Sequence, residues 1–194
     1  SSDWSSDVCS SDLRVAKFWV GDVKGCRLSQ EEIAHNVAFG MLLGSYRFDK
    51  YFTRKPAEDY PVLEKVYFDS AEKDKISLGD FVDMASLANA VRYARDLVNE
   101  PANFLTPEAF ASDVERLRYL KLDVEILDER ELRKQDFNML LEVAKGSEAR
   151  PRVGVMIWHG DKRRKEMDAV LVGKGVTYDA GGINLKDRKN LTNM

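Results

Sequence analysis

Three charged side chains close together in the chain could do metal chemistry: Lys174, Asp179 and Lys186, all within Val170-Leu-Val-Gly-Lys-Gly-Val-Thr-Tyr-Asp-Ala-Gly-Gly-Ile-Asn-Leu-Lys186. Asp179 offers a hard oxygen donor, and the small Ala180-Gly181-Gly182 run beside it leaves room for ions or a substrate. Lys174 can ligate a metal only as the neutral amine, which requires burial and neighbouring divalent charge to pull its pKa far down. Lys186 adds a second cation nearby. Val170 to Val172 read as a short buried strand, with Gly173 and Gly175 allowing unusual dihedrals and close backbone approach around Lys174. That geometry would aim the amine into a crevice at the carboxyl end of the strand, where open α/β sheets bind ligands. Taken singly, a lysine after a strand is usually solvated and an aspartate before Gly-Gly usually forms a turn, so residue types alone leave both readings open.

Nucleotide chemistry can be tested against the same stretch. A phosphate-binding P-loop needs glycine five positions before its Gly-Lys pair and Ser or Thr after it; Asp168 and Gly175 stand there instead. A dinucleotide fingerprint starting at Gly173 needs glycine where Tyr178 stands. Both readings fail.

Gly173-Lys-Gly-Val-Thr-Tyr-Asp-Ala-Gly-Gly-Ile-Asn-Leu-Lys186 is similar to the signature of the leucyl (cytosol) aminopeptidases, the M17 family of two-metal exopeptidases. Ala94-Arg-Asp-Leu-Val-Asn-Glu-Pro-Ala-Asn-Phe-Leu-Thr-Pro107 resembles the segment that opens that family's catalytic domain. Gly44-Ser-Tyr-Arg-Phe-Asp49 resembles a recurrent piece of its N-terminal region. The three stretches fall in the family's order.

The resemblance implies roles for individual residues. Lys174 and Asp179 would ligate a centre of two divalent ions, Mn2+ or Zn2+, and Lys186 would be catalytic, contacting the substrate and its developing oxyanion. The family completes its site with another Asp a few residues beyond the position of Met194, a later Asp and Glu, and an arginine associated with a bicarbonate base. The implied reaction is hydrolysis of N-terminal residues from peptides: a metal-bridging water of lowered pKa attacks a carbonyl polarised by metal, while the substrate's amino terminus sits on the other ion. A homohexamer and a cytoplasmic location are implied as well. The chain is expected to be a fragment of such an enzyme, inactive alone. A noncatalytic α/β ligand-binding module and an assembly piece are the other classes left open.

Composition agrees with a soluble globular protein. The 194 residues are 44% hydrophobic and 32% charged, enough chain for a core or two. No segment is long enough in apolar residues to span a membrane. A net charge of −3, with both signs interspersed and no basic stripe among aromatics, gives no reason to expect nucleic-acid binding. Cys9 and Cys26 lack metal-ligand spacing and suit a reducing compartment. His35 and His159 are too few for a histidine-based zinc site and are read as structural.

The elements that must position these residues divide the chain into four. Residues 1–13 repeat a Ser-Ser-Asp triplet, resemble translated adapter sequence and are set aside as non-native, a low-complexity tail being the competing view. Residues 14–78 read as the end of an N-terminal α/β domain, 79–99 as a linker helix, and 100–194 as the first part of a mixed-sheet α/β catalytic domain. Ser29 and Glu32 form a capping box for a helix ending near Gly44. Lys65 to Phe68 reads as a strand, with a polar boundary loop through Lys75. Phe81, Met84, Ala88, Val91, Arg95 and Val98 recur at helical spacing from about Gly79 to Asn99, an apolar stripe read as ordinary core. Thr106-Pro107 caps a helix to about Tyr119, Leu122, Val124 and Ile126 alternate as a strand, and Glu129 to Lys134 is a short helix that Leu140 to Ala144 continues. Arg152 to Trp158 and Ala169 to Gly173 are expected as an antiparallel hairpin, because the charged Asp161 to Asp168 linker is too short for a crossover helix. The basic run from Lys162 to Lys165 in that linker reads as a solvated turn.

Overall fold

Two strands running the same way cannot be joined by a tight turn, so the parallel pair that opens the protein encloses a helix. In the computed structural model, which describes residues 14–21, 24–53, 63–70, 79–161, 163, 166–179, 185–187 and 189, β1 (Val15–Val20) pairs in parallel with β2 (Lys65–Ser70). The register runs from Val15 opposite Lys65 to Val20 opposite Ser70, and α1 (Gln30–Gly44) lies between the two in the chain. Directly opposed Phe18 and Phe68 stack with ring centroids 5.9 Å apart, and Lys17 Nζ reaches Asp69 Oδ2 at 2.9 Å. The Ser-Ser-Asp segment and the expected boundary loop at 71–78 lie outside the described residues.

β1 is a strand that periodicity did not disclose. Its side chains are mostly exposed, with Val20 alone buried, so no clean alternation marks it; its signal is the β-branched and aromatic content of Val15, Phe18, Trp19 and Val20. α1 begins as the sequence indicates. Ser29 Oγ accepts from the Glu32 N–H at 3.1 Å, and the Ser29 N–H donates to Glu32 Oε2 at 2.7 Å. Ala34 and His35 are its buried residues, and the His35 ring sits 5.9 Å from Phe81, a core role.

α2 (Gly79–Asn99) packs on α1 in the same unit, which comprises residues Ser1–Asn99. A polar clamp fixes the chain leaving α1 to this helix. Arg95 donates to the Leu43 carbonyl at 3.0 Å and lays its guanidinium over the Tyr46 ring at 3.9 Å. The Tyr46 hydroxyl donates to Asp96 at 2.8 Å and accepts from Asn99 at 3.0 Å. The Gly44 to Asp49 motif thus has a structural use: it holds the end of α1 to α2.

The second unit, Glu100–Met194, begins with α3 (Pro107–Arg116). Thr106 Oγ1 accepts from the Ala109 N–H at 3.2 Å, and Pro107 occupies a first-turn position where a missing donor costs nothing. The helix tightens to a 3-10 turn over Leu117–Leu120, and Lys121 ends it in the left-handed region at φ 63°. β3 (Asp123–Leu127) leads into α4 (Glu129–Lys134), whose capping box uses Asp128 and Glu131. α5 (Asn138–Ala144) is a separate helix and not a continuation of α4, because Asp136 turns the chain at φ 58°. β4 (Val153–Ile157) then pairs antiparallel with β3, Asp123 opposite Ile157 and Leu127 opposite Val153.

That pairing replaces the expected hairpin. Among the described residues 169–173 form no strand, and Val170, Leu171 and Val172 are 77%, 96% and 94% exposed, so the buried strand read there is absent. The physical reason lies in the turn and in the partner. The linker from Asp161 to Asp168 is charged and lacks two-residue hairpin turn chemistry, so nothing local fixes a register. β3, by contrast, offers buried Val124 and Leu127 beside α3 and α4.

Leu127, Leu132 and Leu141 form the buried cluster of this unit, with Leu140 and Val153 against it. Leu132 is fully buried. Leu132→Ala should therefore destabilise the unit by about 2–5 kcal/mol, measured as a lower denaturant midpoint; an unchanged midpoint would remove Leu132 from the core.

The capping carboxylates predict acid sensitivity. The Ser29 backbone N–H, then its hydroxyl, lowers the pKa of Glu32 from its ordinary 4.5, and the Glu131 backbone N–H lowers that of Asp128 from 3.8. A folded-state pKa below the unfolded one gives stability that is present above the unfolded value and lost as pH falls through the folded value. Helical circular dichroism should thus fall on titration below about pH 4, and less so in a Glu32→Gln, Asp128→Asn variant, which lacks both titrating carboxylates. Among the described residues no helix is long and apolar enough to cross a membrane.

Candidate metal and substrate site

One face of α3 seats the segment that carries the candidate residues. Phe110 and Val114 are one turn apart on that helix, hence neighbours on its surface. Val114 meets β4 at Gly154, where an added Cβ would come within 3.1 Å of Val114 Cγ1. Phe110 meets Gly175, where an added Cβ would lie 3.2 Å from Phe110 Cε1. Gly175 is therefore needed for a close approach of the backbone to an aromatic edge.

Gly173 has open space where a Cβ would stand, and neither Gly173 nor Gly175 is among the positive-φ residues. The expectation of unusual dihedrals thus holds for neither glycine, and that of a close backbone approach holds for Gly175 alone. Lys174 itself is exposed and not enclosed in a crevice. Among the described residues no hydrogen bond or ion pair joins it to Asp179 or Lys186.

Asp179 and Lys186 are brought together. Lys186 Nζ donates to Asp179 Oδ2 at 3.0 Å, with the two side chains 27% and 34% exposed. The intervening Ala180 to Asn184, including the paired glycines, lies outside the described residues. Asp179 thus brings one hard oxygen donor, engaged by the Lys186 ammonium. Among the described residues no group of three or more His, Cys, Asp or Glu could hold one, so a two-ion centre needs donors beyond this set.

Two further groups singled out in the sequence, His159 and the Asp161 turn, have partners within the chain. His159 Nε2 lies 2.9 Å from Asp123 Oδ2, tying the end of β4 to the start of β3. Arg163 engages both oxygens of Asp161 at 3.0 Å, which lowers the pKa of Asp161 and is the behaviour of a solvated turn; Lys162, Arg164 and Lys165 lie outside the described residues. Sequence reasoning missed Phe110 as the seat of Gly175. Its only signal was its helical spacing with Val114.

The sequence profile of the cytosol aminopeptidase family, catalytic domain, matches residues 92–194, just over half of the chain. The chain belongs to this family. It is 40% identical over 175 residues to a probable cytosol aminopeptidase of Chelativorans sp. (strain BNC1), covering 90% of this chain and 35% of that protein. The chain thus spans about a third of the length of the curated relatives it matches. Among solved structures, the bottromycin maturation enzyme BotP in complex with Mn is 30% identical with a TM-score of 0.57, over 73% of this chain and 28% of that one. The leucine aminopeptidase of Caenorhabditis elegans reaches a TM-score of 0.65 over 93% of this chain and 33% of its own, at 22% identity, a likeness of fold. The mixed α/β class read from the sequence is the class observed, and family membership disfavours a noncatalytic module.

Proposed function

We propose that this chain supplies the opening part of the active site of a two-metal leucyl aminopeptidase, which removes N-terminal residues from peptides. The observation that carries the reading is the Asp179 and Lys186 pair, held at 3.0 Å inside the stretch that matches the family's catalytic domain. In this reading Asp179 and Lys174 hold metal, and Lys186 is the catalytic residue that contacts the substrate oxygen. Divalent ions, when bound, would supply Lewis acidity toward the scissile carbonyl and an activated water. Manganese is favoured because BotP is described in complex with Mn, zinc being the alternative. A bicarbonate base, a homohexameric assembly and a cytoplasmic location belong to the same proposal, the last supported by the relatives' naming as cytosol aminopeptidases.

Lys186 donates to Asp179 at 3.0 Å, and in this reading the same side chain would donate to negative charge developing on the substrate oxygen. Gly175 against Phe110 holds the Lys174 segment on α3, so the amine is carried by a seated stretch of backbone.

The decisive experiment joins residues 14–194 to the remaining two-thirds of the Chelativorans relative. The hybrid should release p-nitroaniline from leucine p-nitroanilide in Mn2+ and spare the N-acetylated substrate, which lacks a free amino terminus. A folded hybrid without release in Mn2+ or Zn2+ would refute the reading. The 194-residue chain alone should give no release, because among its described residues no group of three or more His, Cys, Asp or Glu could hold a metal.

A further inference from the structure

Lys174 is followed by a glycine whose surroundings fix where the backbone can run. A Cβ added at Gly175 would meet Phe110 Cε1 at 3.2 Å and Cδ1 at 3.7 Å and, chain neighbours aside, no other described residue within 4 Å. Gly175 is not among the positive-φ glycines, so a side chain there strains no dihedral. Crowding against Phe110 is the one local cost of a methyl group at this position among the described residues.

Phe110 is itself held by the turn that carries it. Its N–H donates to the Thr106 carbonyl at 2.9 Å, and Thr106 Oγ1 accepts from Ala109, so the ring leaves a capped first turn. Glu108 in the same turn accepts from the Arg150 N–H at 3.0 Å and pairs with Arg152 at 3.5 Å, which ties α3 to the stretch entering β4. One turn further along, Val114 Cγ1 lies against Gly154 of β4. A side chain on a helix fixed in this way can hold a neighbouring loop at a set distance, whereas one on a loose element cannot.

We propose that Phe110 is a positioning residue for the candidate metal site, its ring edge setting how closely the backbone carries Lys174 past α3. The inference rests on the aminopeptidase reading, because it gives this contact a use in holding metal. It goes beyond that reading by placing a determinant of metal affinity on a helix far from Lys174 in the chain.

The hybrid of residues 14–194 with the remainder of the Chelativorans relative tests this through its Mn2+ affinity, read from the electron paramagnetic resonance of free Mn2+ without any turnover. Gly175→Ala moves the backbone off the ring and should weaken Mn2+ binding about tenfold, the usual scale for groups that orient a ligand. Phe110→Leu takes away Cε1 and keeps an apolar contact. Added to Gly175→Ala, it should bring the Kd back to within about threefold of the parent. Gly154→Ala crowds Val114 on the same helix, at 3.1 Å, but acts on β4. It should lower the denaturant midpoint and leave the Mn2+ Kd within about twofold of the parent.

Unchanged Mn2+ affinity in Gly175→Ala overturns the proposal. So does a double variant that binds no better than Gly175→Ala, because the methyl group would then act on something other than Phe110. Equal weakening by Gly154→Ala would trace the effect to lost stability and overturn it as well. A parent hybrid that takes up no Mn2+ is a distinct failure: it sinks the aminopeptidase reading itself, and this inference with it.

Discussion

Asp179→Ala in the completed enzyme is expected to cut turnover by about three orders of magnitude and to lower bound metal. Lys174→Ala should do the same. A metal that polarises a carbonyl supplies several kcal/mol of transition-state stabilisation, and each ~1.36 kcal/mol is a factor of ten in rate. Asp179 is the carboxylate that the fold has already set against a cation, at 3.0 Å from Lys186 Nζ. Removing it takes away a donor that a neighbouring water cannot replace with equal charge. Lys174 is exposed among the described residues, so its loss should leave the fold intact and report on the site alone. The measurement is metal content by mass spectrometry beside kcat on leucine p-nitroanilide. Two ions per site with near-normal turnover in either variant would refute the ligand assignment.

Lys186→Ala should part the two readouts. If Lys186 meets charge on the substrate oxygen, the variant loses about 10²–10³ in kcat, the usual cost of one oxyanion donor. Metal content should hold, because the variant removes a cation that competes for Asp179 and not a ligand. Structural damage is not expected either. The Asp179 ion pair is about a third exposed, and pairs of that kind contribute at most about 1 kcal/mol. Lys186→Arg keeps the charge and should recover part of the lost kcat. Loss of metal in step with kcat would move Lys186 into the ligand shell.

Particular elements show how far sequence reading reaches. The capping box at Ser29 and Glu32, the Thr106-Pro107 start and the stripe from Phe81 to Val98 were legible because helix ends and helix faces are written within a few residues. β2 and β4 were legible as short apolar stretches and β3 by its alternation. β1 was not, because an exposed edge carries little alternation. The break between α4 and α5 hid in the left-handed conformation of Asp136, which residue type alone does not require.

The candidate site divides along the same line. Lys174, Asp179 and Lys186 were legible because their types and spacing form a long motif within one stretch of chain. That Asp179 and Lys186 meet while Lys174 stands in solvent was not legible, since it depends on how the loop between them turns.

The sequence by itself determined the courses of α1, α2 and α3, the caps at Ser29 and Thr106, the family and the three candidate residues, since each is written within a short stretch of chain. Only the tertiary structure decided that β4 joins β3 and leaves 169–173 bare, and that Gly175 rests on Phe110. Strand partners and helix seats are chosen by competition among distant apolar surfaces, and no local pattern records which of them wins.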